Sequence, residues 1–119
     1  MRKIVCLVSL CMIAASAVAV YADENVYPGA KLNTEETEFA KQVGIAGSCY
    51  TTADRVDKVI AYYMKLRGIM SMGTDDNGGI FVSKDDNPQR VYIRVASPWQ
   101  PSKGGEMKND TEIFISSME

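Results

Sequence analysis

The sequence predicts an α+β domain, with one main amphipathic helix packed on an antiparallel sheet of about four to five strands. Three observations predict it. Residues 56–67 carry apolar side chains at three- and four-residue spacings, the period of a helix. Later segments, around residues 69–72, 80–83, 90–95 and 111–116, are short and β-prone, and that at 90–95 alternates apolar with polar side chains. Turn-forming residues separate most of these segments, so consecutive strands are joined as hairpins and the sheet is antiparallel.

Residues 23–33 (DENVYPGAKLN) read as an extended lead-in, because Pro28-Gly29 breaks regular structure and Pro28 holds Tyr27 extended. Residues 34–44 suit a short helix. Thr34 can cap it, the acids of the first turn favour the positive end of the helix dipole, and Gly44 can end it. Phe39, Ala40 and Val43 supply its only core face. A β-prone stretch at 47–52 contains Cys49 and Tyr50. The main helix follows, with Val56, Val59, Ile60, Tyr63 and Leu66 in one stripe and Tyr62 about 100° away from it. Thr52 or Asp54 can accept from its first-turn N–H groups, and Gly68 can stop it in the left-handed conformation.

After Gly68 the period shortens. Residues 69–72 make a brief strand, residues 73–79 a turn in which Asn77-Gly78 signals a type I′ hairpin, and residues 80–83 the returning strand. A second turn at 84–88 leads to residues 90–95, which place Val91, Ile93 and Val95 on one face and Arg90, Tyr92 and Arg94 on the other. Residues 97–109 form a loop rich in Pro, Gly and Lys. In the last strand Ile113 and Ile115 face one way and Phe114 the other.

The first 22 residues have the three parts of a secretory signal peptide: Arg2 and Lys3, an apolar run from Ile4 to Val20, and a Val20-Tyr21-Ala22 cleavage site before Asp23. A retained membrane anchor is the competing reading, since the apolar run approaches the ~20 residues that span a bilayer. Cys11 follows a bulky leucine inside that run, which argues against a lipoprotein. The expected organisation is a signal peptide over 1–22, an extended segment over 23–33 and one α+β domain over 34–119, in a periplasmic or secreted protein.

Cleavage would remove Cys6 and Cys11, leaving Cys49 without an intrachain disulfide partner. Cys49 is then a reactive thiol, an intermolecular bridge or a small buried hydrophobe. The chain carries a net charge of −2, and losing Arg2 and Lys3 makes it more acidic. That balance gives no footprint for nucleic acid. No stable membrane insertion is expected after cleavage, and a monomer or weak dimer is expected.

The residue inventory excludes several chemistries. The chain has no histidine, so no Ser-His-Asp or Cys-His site can be assembled within it, and the commonest transition-metal ligand is missing. The pairs Asp75-Asp76 and Asp85-Asp86 could offer oxygens to calcium or carboxylates to a glycosidic bond. They lack calcium-loop spacing, however, and lie beside Asn-Gly and Asn-Pro, where acids form solvated turns. Gly78-Gly79 and Gly104-Gly105 do not lead into a helix opened by Lys-Ser or Lys-Thr. The sequence therefore predicts no enzyme, cofactor or metal.

Two surfaces remain. Trp99, between Pro98 and Pro101, either anchors a partner from an exposed loop or folds back over the sheet edge. Arg90, Tyr92 and Arg94 form a second patch on the open sheet face. The expected function is binding of a protein or cell-envelope partner through one of these surfaces. The alternative is a small apolar ligand in a pocket between the main helix and the sheet, lined by Tyr50, Tyr63, Met64, Met70, Met72 and Phe81. Soft methionines suit an adaptable pocket, and they also fill ordinary cores.

VYPGAK at 26–31, YTTADRVDKVIAYYMKLRG at 50–68 and TEIFIS at 111–116 together resemble a group of small exported bacterial proteins of uncharacterised function. That group carries a Tyr-Pro-Gly-Ala opening, a Tyr-x-Thr-x-Asp segment before a Val-x-x-Tyr-Tyr helix, and a closing Thr-x-Ile-x-Ile strand. The resemblance spans most of residues 26–116 and implies a single exported α+β domain. Its motifs are a turn, a cap, a helix stripe and an edge strand, so it implies no catalytic residue.

Overall fold

A computed structural model describes residues 25–118. The expected leader at 1–22, with Cys6, Cys11 and the cleavage site, lies outside the described residues. Among the described residues the architecture is α+β: a six-stranded antiparallel sheet with two helices. In chain order the elements are β1 (Lys31–Leu32), α1 (Thr34–Gln42), β2 (Ser48–Thr52), α2 (Val56–Lys65), β3 (Ile69–Asp75), β4 (Gly78–Ser83), β5 (Val91–Ala96) and β6 (Thr111–Ser117). The sheet order is β1-β2-β6-β5-β4-β3. Strands β3 to β6 pair with their neighbours in sequence, and β6 closes against β2. The added strand is β1, two residues of the lead-in that pair with Tyr50 and Thr51.

Helix α2 forms where the stripe demands. Val59 and Tyr63 are fully buried, with Val56, Ile60 and Leu66 half-buried beside them. They meet Phe81, Val91, Ile93, Val95 and Ile113, the alternate positions of β4, β5 and β6 that face α2. A line of rings crosses this layer: Tyr27 to Tyr62 at 5.2 Å between centroids, Tyr62 to Tyr63 at 5.1 Å and Tyr63 to Phe81 at 5.6 Å. The first two are edge-on, a favoured aromatic geometry. The Tyr63 hydroxyl donates to the Asn25 carbonyl at 2.6 Å, so the lead-in is pinned to the core.

Three local expectations are corrected. The cap of α1 is Asn33, whose Oδ1 accepts from the Glu36 N–H at 3.1 Å, in place of Thr34. Arg55 stands at the cap position of α2 and makes no side-chain cap bond. Thr52 accepts from the Asp54 N–H instead, and Asp54 accepts from the Tyr27 hydroxyl at 2.5 Å. The β3–β4 hairpin closes between Asp75 and Gly78, and no non-glycine residue among those described has positive φ, so the turn is not type I′. Asp75 Oδ1 accepts from the Asn77 N–H at 2.8 Å and shapes that turn. Gly78 is needed for a different reason, because a Cβ there would lie 2.0 Å from the Val95 carbonyl oxygen. Gly68 does take the left-handed conformation expected of it, at φ +80°.

The expected pocket between the main helix and the sheet is not assembled. Tyr63 and Phe81 are sealed in the core, Tyr50 packs half-buried at its side, and Met64 is exposed on α2. Met70 and Met72 are 44% and 63% exposed. The pleat explains Met70: Ile69 points into the α2 layer, so its neighbour points out of the opposite face. Met72 falls at the β-bulge between Ser71 and Gly73, where pairing skips a residue.

Candidate functional site

The sheet face away from α2 is only partly covered, and strand register fixes what it displays. One row of opposed residues runs Met70, Val82, Tyr92, Ser116. The next runs Gly73, Ile80, Arg94, Phe114, Cys49, and a third runs Asp75, Gly78, Ala96, Glu112, Thr51, Lys31. Directly opposed residues in an antiparallel sheet share a face, so these side chains belong to one surface.

Helix α1 lies over the β2–β6 end of this surface. The Asn33 N–H donates to the Cys49 carbonyl at 2.8 Å, and Thr37 Oγ1 accepts from the Cys49 N–H at 2.9 Å, which ties the helix to β2. Its own Ala40 is buried. Buried Glu36 in the first turn accepts from the Ser102 N–H at 3.0 Å and from its hydroxyl at 2.7 Å. The loop between β5 and β6 is thereby anchored to α1.

A groove of about 510 Å³ remains between α1 and the sheet. Phe39, Val43, Ile45 and Phe114 make its apolar walls, and Cys49, Tyr92, Arg94 and Glu112 also line it. A second concavity of about 480 Å³ lies over β3–β5, among Met72, Ile80, Ala96 and the β3–β4 turn, and Arg94 borders both. Apolar Met70, Met72, Ile80, Val43 and Ile45 all stand exposed on this side or at its rim.

In the groove Arg94 Nη2 donates to Glu112 Oε1 at 3.2 Å. The Glu112 side chain is only 6% exposed, while that of Arg94 is 49% exposed. Burial holds the Glu112 carboxyl above the usual carboxylate range; Arg94 opposes this, and Glu36 and Asp110 add to it. Folded protein therefore holds the Glu112 proton more tightly than unfolded chain does, and stability contributed by that proton is lost as pH rises through the raised value. A Glu112→Gln variant is expected to gain stability relative to the wild type as pH rises from about 4, the ordinary carboxylate value, towards neutrality. Parallel urea titrations across pH check this; a constant difference between the two proteins would contradict the buried, desolvated carboxyl.

Cys49 is buried, and that burial pushes its thiol up to about 12, with Glu112 and Glu36 adding and Arg94 opposing. At neutral pH it is a protonated thiol, and the thiolate is the nucleophilic form. Cys49 is thus a small buried wall residue, as one of its three sequence readings has it.

The predicted surface residues separate. Tyr92 and Arg94 line the groove. Arg90 stands before β5, where its Nη1 approaches the Lys84 carbonyl at 3.5 Å. Trp99 is 7% exposed; its Nε1 donates to Asp110 Oδ1 at 2.7 Å and its backbone pairs with Lys108. The exposed-anchor reading of Trp99 is therefore corrected, since the loop folds back on itself and buries the ring. Glu36, Phe39, Glu112 and Phe114 were not picked out as site residues. The outward direction of Phe114 and the narrow apolar face of α1 were the available signals. Among the described residues no group of three or more Cys, Asp or Glu side chains is placed to hold a metal ion, and no helix is long and apolar enough to cross a membrane. In comparisons with known proteins, no family model, curated protein or solved structure matches the chain.

Proposed function

We propose that the chain is an exported, non-enzymatic binding domain whose working surface is the open sheet face, from the groove at α1 across to β3. The observation that carries this reading is the continuity of that face. Two concavities meet at Arg94, and exposed Met70, Met72, Ile80, Val43 and Ile45 surround them. Contiguous exposed apolar surface is characteristic of interaction sites. The absence of histidine and the protonated Cys49 support binding over catalysis. The signal-peptide pattern and the resemblance to small exported proteins support a protein or envelope partner met outside the cytoplasm.

A small apolar ligand is the second reading, favoured by the groove's volume, which falls within the ~300–1,000 Å³ typical of ligand sites. Its site would be under α1 and not under α2. Photo-cross-linking separates working surface from bystander. A benzophenone side chain at Ile80 is expected to give a discrete product in producing cells, and one at Met64, exposed on α2, is expected to give none. Equal labelling from both positions, or none from Ile80, would contradict the partner reading. Native mass spectrometry of the recovered protein then distinguishes a small bound adduct from a protein complex.

A further inference from the structure

The groove under α1 is not merely apolar, because its charges do not balance. Two buried carboxylates, Glu36 and Glu112, face one half-exposed guanidinium, Arg94. Glu36 spends both oxygens on Ser102 and acts through its field. Glu112 is different. Arg94 occupies only its Oε1, and Oε2 accepts no hydrogen bond from any described residue. Among the described residues no buried side-chain oxygen is both sealed and unpaired, so the small remaining exposure of Glu112, a residue that lines the groove, includes Oε2. A carboxylate can accept from several donors, and this one has a free oxygen inside an otherwise desolvated side chain. The Cys49 thiol in the same groove, raised chiefly by burial, is raised further by Glu112 and Glu36 and lowered by Arg94, in keeping with that balance. The groove therefore presents a negative potential between apolar walls.

Deepening the proposed function, and resting on it, we propose that the groove takes a short extended peptide segment of a partner protein, in which one lysine or arginine is flanked by apolar residues. The cation would donate to Glu112 Oε2. The neighbouring apolar side chains and the methylene stem of the basic residue would lie against Phe39, Val43, Ile45 and Phe114. Charge complementarity selects this occupant: an acidic peptide would meet Glu36 and Glu112, and a neutral one would leave the second carboxylate without a balancing charge. The net negative charge of the whole chain favours the same encounter.

The test uses three capped peptides, Ac-Leu-Val-Lys-Val-Leu-NH2 and its Gln and Glu counterparts at the centre, titrated into isotope-labelled protein and followed by amide NMR shifts. The lysine peptide is expected to bind at least about tenfold tighter than the glutamine peptide, whose amide can donate to Oε2 but brings no charge, and the glutamate peptide not measurably. Shifts are expected at Ile45, Glu112 and Phe114. Glu112→Gln should reduce the lysine preference, and the peptide series on wild-type protein decides the matter even if that variant fails to fold. Equal binding of all three peptides at those residues would overturn the cation while leaving the open-face reading intact. No binding, or shifts confined to another face, would overturn the proposal. Binding confined to another face would also count against the open face as the working surface.

Discussion

Tyr63→Ala is expected to cost about 3–5 kcal/mol of folding stability, the range for truncating a fully buried aromatic side chain. The position combines three dependencies. Its ring joins Tyr62 to Phe81 in the aromatic line, its body fills the layer between α2 and the sheet, and its hydroxyl holds the Asn25 carbonyl. Alanine removes all of them and leaves a cavity that rigid strands on the other side cannot close. Tyr63→Phe isolates the hydroxyl and is expected to cost about 1–3 kcal/mol, because it strands a carbonyl next to the core. Burial also holds the Tyr63 phenol well above its ordinary value, so the hydroxyl stays a donor throughout the working pH range. Urea unfolding of both variants checks the pair. A loss below about 1 kcal/mol for alanine would mean that α2 is not seated on Phe81 and Ile93 as described.

How much of this was legible depends on how far apart the interacting residues are. The α2 stripe and the alternation of β5 were readable because each is a local periodicity imposed by one surface. Val59 and Tyr63 lie one helical turn apart, and Val91, Ile93 and Val95 lie two apart along a pleat. The resulting core contains every one of them. The same reasoning misplaced Met70 and Met72, since short apolar runs do not disclose which face each residue takes, and a bulge resets the phase. The α1 cap falls one position from the expected one because Asn33 and Thr34 are both capping residues.

The groove was harder to see, because no local pattern encodes it. Its charged pair joins Arg94 to Glu112, 18 residues apart, and the loop that bounds it is held by Glu36 and Ser102, 66 apart. In the sequence, Glu36 is indistinguishable from its neighbour Glu35 as a first-turn acid, yet Glu36 is buried and Glu35 is exposed. Reading Tyr92 and Arg94 as an outward face required only alternation, and they do line the groove. Recognising their acidic counterpart required the pairing of β5 with β6, which depends on the whole meander.

Trp99→Ala is the second large effect, with an expected loss of about 3 kcal/mol or more, towards the range for a buried tryptophan. An exposed partner anchor would instead tolerate the change with little loss, as surface substitutions do. Trp99→Phe tests the polar end. It keeps a buried ring while removing the 2.7 Å bond to Asp110, at an expected cost of about 1–3 kcal/mol. The consequence for the groove separates this residue from an ordinary core position. Trp99 and Lys108 pair across the base of the loop whose Ser102 is bound by Glu36. Loosening that loop should release the Glu36 carboxylate from its donors and let α1 shift over Phe114. Trp99→Ala is therefore expected to move the NMR signals of Ile45 and Phe114 under conditions where the α2 core, reported by Tyr63 and Phe81, is unchanged. Equal disturbance of both layers would make Trp99 part of the general core. Disturbance confined to residues 97–110 would mean that the loop does not position α1, and that the width of the groove is set by the ties from Asn33 and Thr37 to Cys49 alone.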